Sequence, residues 1–320
     1  MMTAPSQREP ALRPHAELSR RSLLHAAAWG GALALLPRRT DALMDAASAP
    51  RALAFDGDAL IVAGAQVWRH APSGGSTERL STPHAPIQAL AAHSERSGRL
   101  FAAPEGGGVL RSDDGGRFWR AASDGLPQAQ VTALVMAAGA PDTVYAAIAG
   151  DGLWRSEDAG KTWSFVMDRP WIHQAEREVL ALASVNLASG MGGIWIYAGT
   201  EAGLTRVPDC FCRWQDVVAG DAMDALASGA ASQPAAPLPP GAAVQALVCA
   251  PTAPERLHAA LGSGIWASRD GGVVWLQQTA DRATALAVHP TDPDHIVAAN
   301  PGGLSQSRDG GTTWTALAAF

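Results

Sequence analysis

Three groups of residues in this chain have types and spacings that chemistry could use. Glu105, Asp151 and Glu201 each sit in a short glycine-rich segment. Carboxylates gathered on one rim could act as the general acid and base of a glycoside hydrolase. A Ser-x-Asp-x-Gly run recurs along the chain, and oxygen side chains beside a glycine turn are also how calcium loops begin. Cys210 and Cys212 have one residue between them, with Cys249 further on, a set open to a disulfide or to a metal. Each group also has a plainer reading: solvated loop charges, a hydrogen-bonded turn, and buried or bridged thiols.

The recurrence decides the second case. The phrase reads SDDGGRFW at 112–119, SEDAGKTW at 156–163, SRDGGVVW at 268–275 and SRDGGTTW at 307–314. The shared residues are Ser112, Asp114, Gly116 and Trp119; Ser156, Asp158, Gly160 and Trp163; Ser268, Asp270, Gly272 and Trp275; and Ser307, Asp309, Gly311 and Trp314. A calcium loop needs glycine at its sixth place and glutamate at its twelfth. Here glycine is fifth and no glutamate follows at the matching distance. The phrase therefore reads as a hairpin turn. Aspartate and serine can bond the turn's own backbone, glycine tolerates positive φ, and tryptophan covers the sheet beside it.

Upstream of each phrase lie β-rich runs punctuated by glycine, such as 131–135, 143–147 and 152–154, or 244–248, 256–260 and 264–266. Runs of this length and alternation predict strands. One unit then holds four strands, with the phrase between the third and fourth. Two degenerate units complete the series: one around 196–214 with Cys210 and Cys212 in place of the phrase, and one opening at 60–69. Six four-stranded units of about 40–50 residues predict an all-β propeller with six blades. No strand is left over to clasp the ring, so closure is expected from packing, with a few N-terminal residues added to the last blade.

The four phrases resemble Asp-boxes, also called bacterial neuraminidase repeats, and residues 51–320 resemble the propellers that carry them. That superfamily includes sialidases, some endoglucanases, sorting receptors and the photosystem II stability and assembly factor family. The resemblance implies the fold far more strongly than an activity. A sialidase would imply three substrate-binding arginines, a tyrosine nucleophile with a glutamate partner, and an Arg-Ile-Pro motif. This chain has two tyrosines, Tyr145 and Tyr197, at equivalent second-strand positions, and no Arg-Ile-Pro. Arg69, Arg111, Arg155 and Arg206 recur on third strands, where pairing with a phrase aspartate is expected.

The N-terminus reads as an export signal. Arg20 and Arg21 follow Ser19, precede Leu23 and Leu24, and lead into an apolar stretch. The pair fits a twin-arginine signal and implies the matching export machinery, an ordinary secretory signal being the alternative. Cleavage after Ala42 or after Ala49 both fit. The domain expectation is thus a signal with a short linker at 1–49 and a propeller at 50–320, interrupted by a long insertion at 215–242. Removing residues 1–42 takes the formal net charge from −6 to −9. An acidic exported propeller is a poor partner for nucleic acid or anionic lipid. An oxidising compartment suits a disulfide among Cys210, Cys212 and Cys249 better than a metal, and no cofactor motif is present.

Where the repeat breaks, two enlarged connections flank the fourth unit. One is 168–177, with Trp171 and His173; the other is the Ala/Pro-rich 215–242. Exposed tryptophans mark interfaces, and loops this long are usually functional or disordered. Trp171 and His173 are therefore the contact candidates. Glu105, Asp151 and Glu201 are expected to ring the mouth of the central channel, as further contacts. The function expected is a non-catalytic, protein-binding propeller that assembles or stabilises a periplasmic or membrane-bound complex. A sialidase-like or other glycoside hydrolase and a non-catalytic carbohydrate-binding propeller are the alternatives.

Overall fold

The strand-forming runs are short, rich in β-branched residues and alanine, and interrupted by glycine. Among the described residues they form strands and no helix. The computed structural model describes residues 49–71, 76–81, 83, 85–190, 192–218 and 236–317. The segment expected to be an export signal and the middle of the long insertion lie outside the described residues.

Six sheets radiate from a common axis. Their inner strands are Ala52–Asp56, Ile87–Ala92, Val131–Ala137, Val179–Val185, Val244–Ala250 and Ala285–Val288. Each sheet runs outward in chain order through antiparallel pairs. Neighbouring inner strands pack side by side, and the first meets the sixth, so the fold is a closed six-bladed propeller. Five blades have four strands. The fourth holds Val179–Val185, Trp195–Thr200 and Gly203–Pro208, with Gln215 bridging Arg206 where its last strand would run.

One inner-strand position is leucine in all six blades: Leu53, Leu90, Leu134, Leu182, Leu247 and Leu286. Each pairs in register with Val62, Ala102, Ala146, Ala198, Ala259 or Ala298 of the second strand. The blades are closest near the axis, so small residues make room there. The leucine fills the gap against the preceding blade. Each such burial stabilises by about 1.5–3 kcal/mol. The ring closes in the same way. Leu53, Phe55 and Val62 pack on Ala285, Ala299 and Leu304, and Thr284 Oγ1 donates to the Pro50 carbonyl at 3.2 Å. Among the described residues no strand is exchanged between the first and last blades.

The repeated phrase is a self-bonded turn. Ser112 Oγ accepts the Gly116 N–H at 2.9 Å and donates to Asp114 Oδ1 at 2.8 Å. That oxygen also accepts the N–H groups of Arg117 and Phe118 at 3.0 and 2.9 Å. The same net forms around Ser156 and Asp158, Ser268 and Asp270, and Ser307 and Asp309. Hydrogen bonds from the Thr313 hydroxyl and N–H and from Ser307 lower the Asp309 pKa to about 2. The fourth and fifth residues are both left-handed: Gly115 and Gly116, Ala159 and Gly160, Gly271 and Gly272, Gly310 and Gly311.

This geometry aims the fourth residue's two backbone polar groups in different directions. Its N–H bonds its own blade, as in Gly115 to Gly98, Ala159 to Asp142, Gly271 to Glu255 and Gly310 to Asp294 at 2.8–3.0 Å. Its carbonyl takes a donor from the preceding blade. Arg69 reaches Gly115 at 3.3 Å, Arg111 reaches Ala159 at 2.7 Å, and the Tyr197 hydroxyl reaches Gly271 at 2.7 Å. The expected pairing of the repeated arginines with the phrase aspartate is therefore corrected, because that aspartate is engaged within its turn. Arg111 and Arg155 instead pair with the acid at the phrase's second place, Asp113 at 2.7 Å and Glu157 at 3.2 Å. Arg69 pairs with Asp56 at 2.6 Å.

Two consequences are measurable. Ser156→Ala removes a buried hydroxyl and leaves the Gly160 N–H unpaired, so chemical unfolding should show a loss of about 1–3 kcal/mol. His258 occupies the position held by Phe101, Tyr145 and Tyr197 in other blades. Both of its ring nitrogens lack hydrogen-bond partners, and burial lowers its pKa to about 4. The unfolded chain then binds the extra proton below the ordinary histidine pKa. Stability should fall as pH drops from about 6.5 to about 4. His258→Phe should flatten that slope in urea titrations across this range.

Candidate functional site

The connections between second and third strands lie beside the starts of the inner strands, all on one face. Glu105 N–H bonds Pro86 at 2.7 Å, Ala149 bonds Gln130 at 2.9 Å, and Glu201 bonds Glu178 at 3.3 Å. Glycines 152, 203, 264 and 303 open the third strands at positive φ. At Gly264 a Cβ would run into the Thr279 carbonyl, so the close approach of the outer strand requires glycine there.

The three rim carboxylates do not line the central channel. That channel encloses about 320 Å³ and is walled by the inner strands, with Arg51, Gln88, Thr132, Gln245 and Thr284 among its lining residues. The expectation that Glu105, Asp151 and Glu201 ring its mouth is corrected. Their loops begin one strand further from the axis, a step of about 4.8 Å. Each carboxylate has a partner instead. Glu105 meets Arg51 at 3.3 Å, Asp151 accepts the Trp154 indole N–H at 2.5 Å, and Glu201 meets Arg177 at 3.6 Å.

The enlarged connection before blade 4 is a small hairpin, with Trp171–Ile172 paired to Ala175–Glu176. His173 and Gln174 form its tip at φ 51° and 62°, the backbone of a type I′ turn. Arg169 at the base binds both Glu176 and Glu178, the latter at 2.5 Å. The hydrogen bond to Glu178 leads the effects that raise the Arg169 pKa. Arg177 holds the other leg through its N–H to Pro170 at 2.8 Å and its Nε to Ile172 at 3.1 Å. The Trp171 side chain remains 66% exposed on this anchored base.

Glu178 also accepts the Gly150 N–H at 3.1 Å, and Trp214 Nε1 donates to the Asp168 carbonyl at 2.8 Å. The hairpin base is thus tied to the loops of blades 3 and 4. Trp171, His173, Asp151 and Glu201 are brought to one region, whereas Glu105 sits with Arg51 toward blade 1. Sequence reading did not single out Arg169, Glu176, Arg177 and Glu178. Their signal was the dense alternation of charge within 168–178.

The ends of the insertion are fastened nearby. Val218 accepts from Arg206 at 3.1 Å, and Ala236 pairs in parallel with Val274 and accepts the Trp275 N–H at 2.8 Å. Val217 and Leu238 pack into the core between blades 4 and 5. Cys210 and Cys212 form a disulfide, and Cys249 is a free thiol whose pKa burial pushes up to about 12. Inner strand and outer turn are the two ends of a blade, which keeps Cys249 out of the bond.

No protein-family model and no curated sequence matches the chain; its likeness is to solved structures. The GH74 xyloglucanase from Xanthomonas campestris superposes with TM-score 0.54 at 19% identity, over 83% of this chain and 46% of that one. A putative gluconolactonase superposes with TM-score 0.55 at 13% identity, over 82% and 89%. A YCF48 structure bound to a D1 peptide gives TM-score 0.49 at 16% identity, over 83% and 81%. The chain spans about half the length of the xyloglucanase it matches. At these identities the likeness extends to the β-propeller fold alone.

The region can present an exposed indole above paired charges, an arrangement suited to recognition. Arg169→Ala should free the hairpin from its base. Amide exchange across residues 171–176 should then quicken while the global unfolding midpoint stays close to that of the parent chain, because the hairpin lies outside the packed blades.

Proposed function

We propose that this chain is an exported, non-catalytic propeller of the Asp-box type that binds protein. It would assemble or stabilise a complex at or near the membrane on the periplasmic side. The observation that carries this reading is the charge-anchored hairpin that holds Trp171 exposed on the loop face. A large amphipathic side chain on a rigid base loses little entropy on binding, and such tryptophans dominate interface energetics. His173 at the tip and the partnered Asp151 and Glu201 would form the polar rim of the contact, with Glu105 a separate contact toward blade 1.

Export is part of the proposal and rests on Arg20 and Arg21 ahead of an apolar stretch. The Asp-box assignment rests on the four phrases and their self-bonded turns. The reading requires no cofactor. It is favoured over a glycoside hydrolase because the rim carboxylates are each held by a partner, and Glu105 stands apart from Asp151 and Glu201.

The test is co-purification of the tagged chain from membranes in mild detergent. The parent chain should retain a defined partner. Trp171→Ala should weaken that retention at least about tenfold, the scale of an interface hot spot, with no change in unfolding midpoint. Recovery as a lone protein, together with turnover of fluorogenic sialosides or glucans that is lost in Asp151→Asn, would replace this reading with the hydrolase.

A further inference from the structure

We infer that the Cys210–Cys212 disulfide is a site of reversible thiol–disulfide exchange, and that its reduction by a dithiol releases the joint between blades 3 and 4. This inference is independent of the proposed partner contact. Both cysteines are exposed, whereas Cys249 is half-buried against the core between blades 4 and 5. They replace the repeated phrase of blade 4, on the turn that follows Gly203–Pro208. Attack on a disulfide sulfur needs access, and exposed bonds are the exchangeable ones.

The residue between the cysteines is what gives the bond a structural consequence. Phe211 sits at φ 53°, in the left-handed region that non-glycine residues rarely occupy, with its N–H on the Pro208 carbonyl at 2.8 Å. Its ring lies 5.7 Å from that of Tyr145 and 5.6 Å from the Arg155 guanidinium, and it packs into the core shared by blades 3 and 4. Arg155 is the third-strand arginine of blade 3. Its counterparts Arg69 and Arg111 reach forward to a carbonyl in the next blade's turn. Arg155 reaches the Phe211 ring instead. At this one joint the turn carbonyl has been replaced by a side chain, and the chain around it is cross-linked on both sides.

The exchange balances with a dithiol as co-reactant. A thiolate of the dithiol attacks the sulfur of one cysteine and the S–S bond breaks. The other cysteine leaves as a thiolate and takes a proton from solvent. The second thiol of the dithiol then resolves the mixed disulfide, so two electrons pass to the protein and the dithiol leaves as a cyclic or protein disulfide. With the cross-link gone, Phe211 is free to return to negative φ, and its ring leaves Tyr145 and Arg155. The indicated substrates are dithiols, whether a small reagent or a protein with paired thiols.

The experiment treats the full folded chain with millimolar dithiothreitol in the absence of denaturant. Two further cysteines should become reactive toward a maleimide, while labelling of Cys249 is unchanged by the reductant and the far-ultraviolet spectrum of the sheets persists. Amide exchange in Tyr145–Arg155 and in Gly203–Pro208 should accelerate about tenfold, reporting local opening of the joint. Oxidised glutathione should reverse both changes. A C210S/C212S chain should show the faster exchange without reductant, and Phe211→Ala should show it in either redox state. Survival of the bond until the propeller is unfolded would overturn the exchange site. Reduction with unchanged amide exchange would overturn the latch.

Discussion

In each complete turn, one residue faces two ways: its N–H is held by its own blade and, at three joints, its carbonyl is held by the blade before it. Apolar packing between blades is strong but non-directional, so leucines on alanines would tolerate a range of blade rotations. A hydrogen bond with a fixed direction does not. Arg69 on Gly115, Arg111 on Ala159 and Tyr197 on Gly271 therefore set the angle at which those three pairs of blades meet. In all four turns that residue and the one after it are left-handed. That conformation in turn depends on the serine hydroxyl and aspartate carboxylate that bind the turn from inside.

Blade 4 lacks this device, and several features stand in for it. Arg206 stacks 4.0 Å from the Trp195 ring and bonds the Tyr197 hydroxyl, which carries the link forward to blade 5. Phe211 carries the link back to blade 3. Val217 and Leu238, from the two ends of the insertion, fill the core on the other side. Without the compact turn, the chain around blade 4 is longer and more irregular. The same blade is preceded by the Trp171 hairpin and followed by the insertion. Structural regularity and the candidate contact surface thus exclude each other along the chain.

Much of the fold was legible in the sequence because its determinants are local and repeated. Strand runs, glycine breaks and the eight-residue phrase each recur with a fixed spacing, so six blades could be counted and the turn placed between third and fourth strands. The arginine partners were not legible. The phrase aspartate looked like the obvious anion, but its carboxylate is already engaged within the turn, which sends Arg111 to Asp113 and Arg155 to Glu157. The position of Glu105, Asp151 and Glu201 relative to the channel was misjudged for a related reason. Sequence places them in equivalent loops but does not say how far those loops stand from the axis.

The sequence by itself determined the repeat, the order of strands in each blade and the two blades that lack the phrase. These follow from alternation, from glycine where φ must be positive and from side chains that bond within a few residues. Only the tertiary structure decided which cysteines join, which donor crosses each seam, how the ring closes and that Trp171 stands exposed on an anchored hairpin. Each of those depends on distances between segments far apart in the chain, which arise once the blades are packed around a common axis.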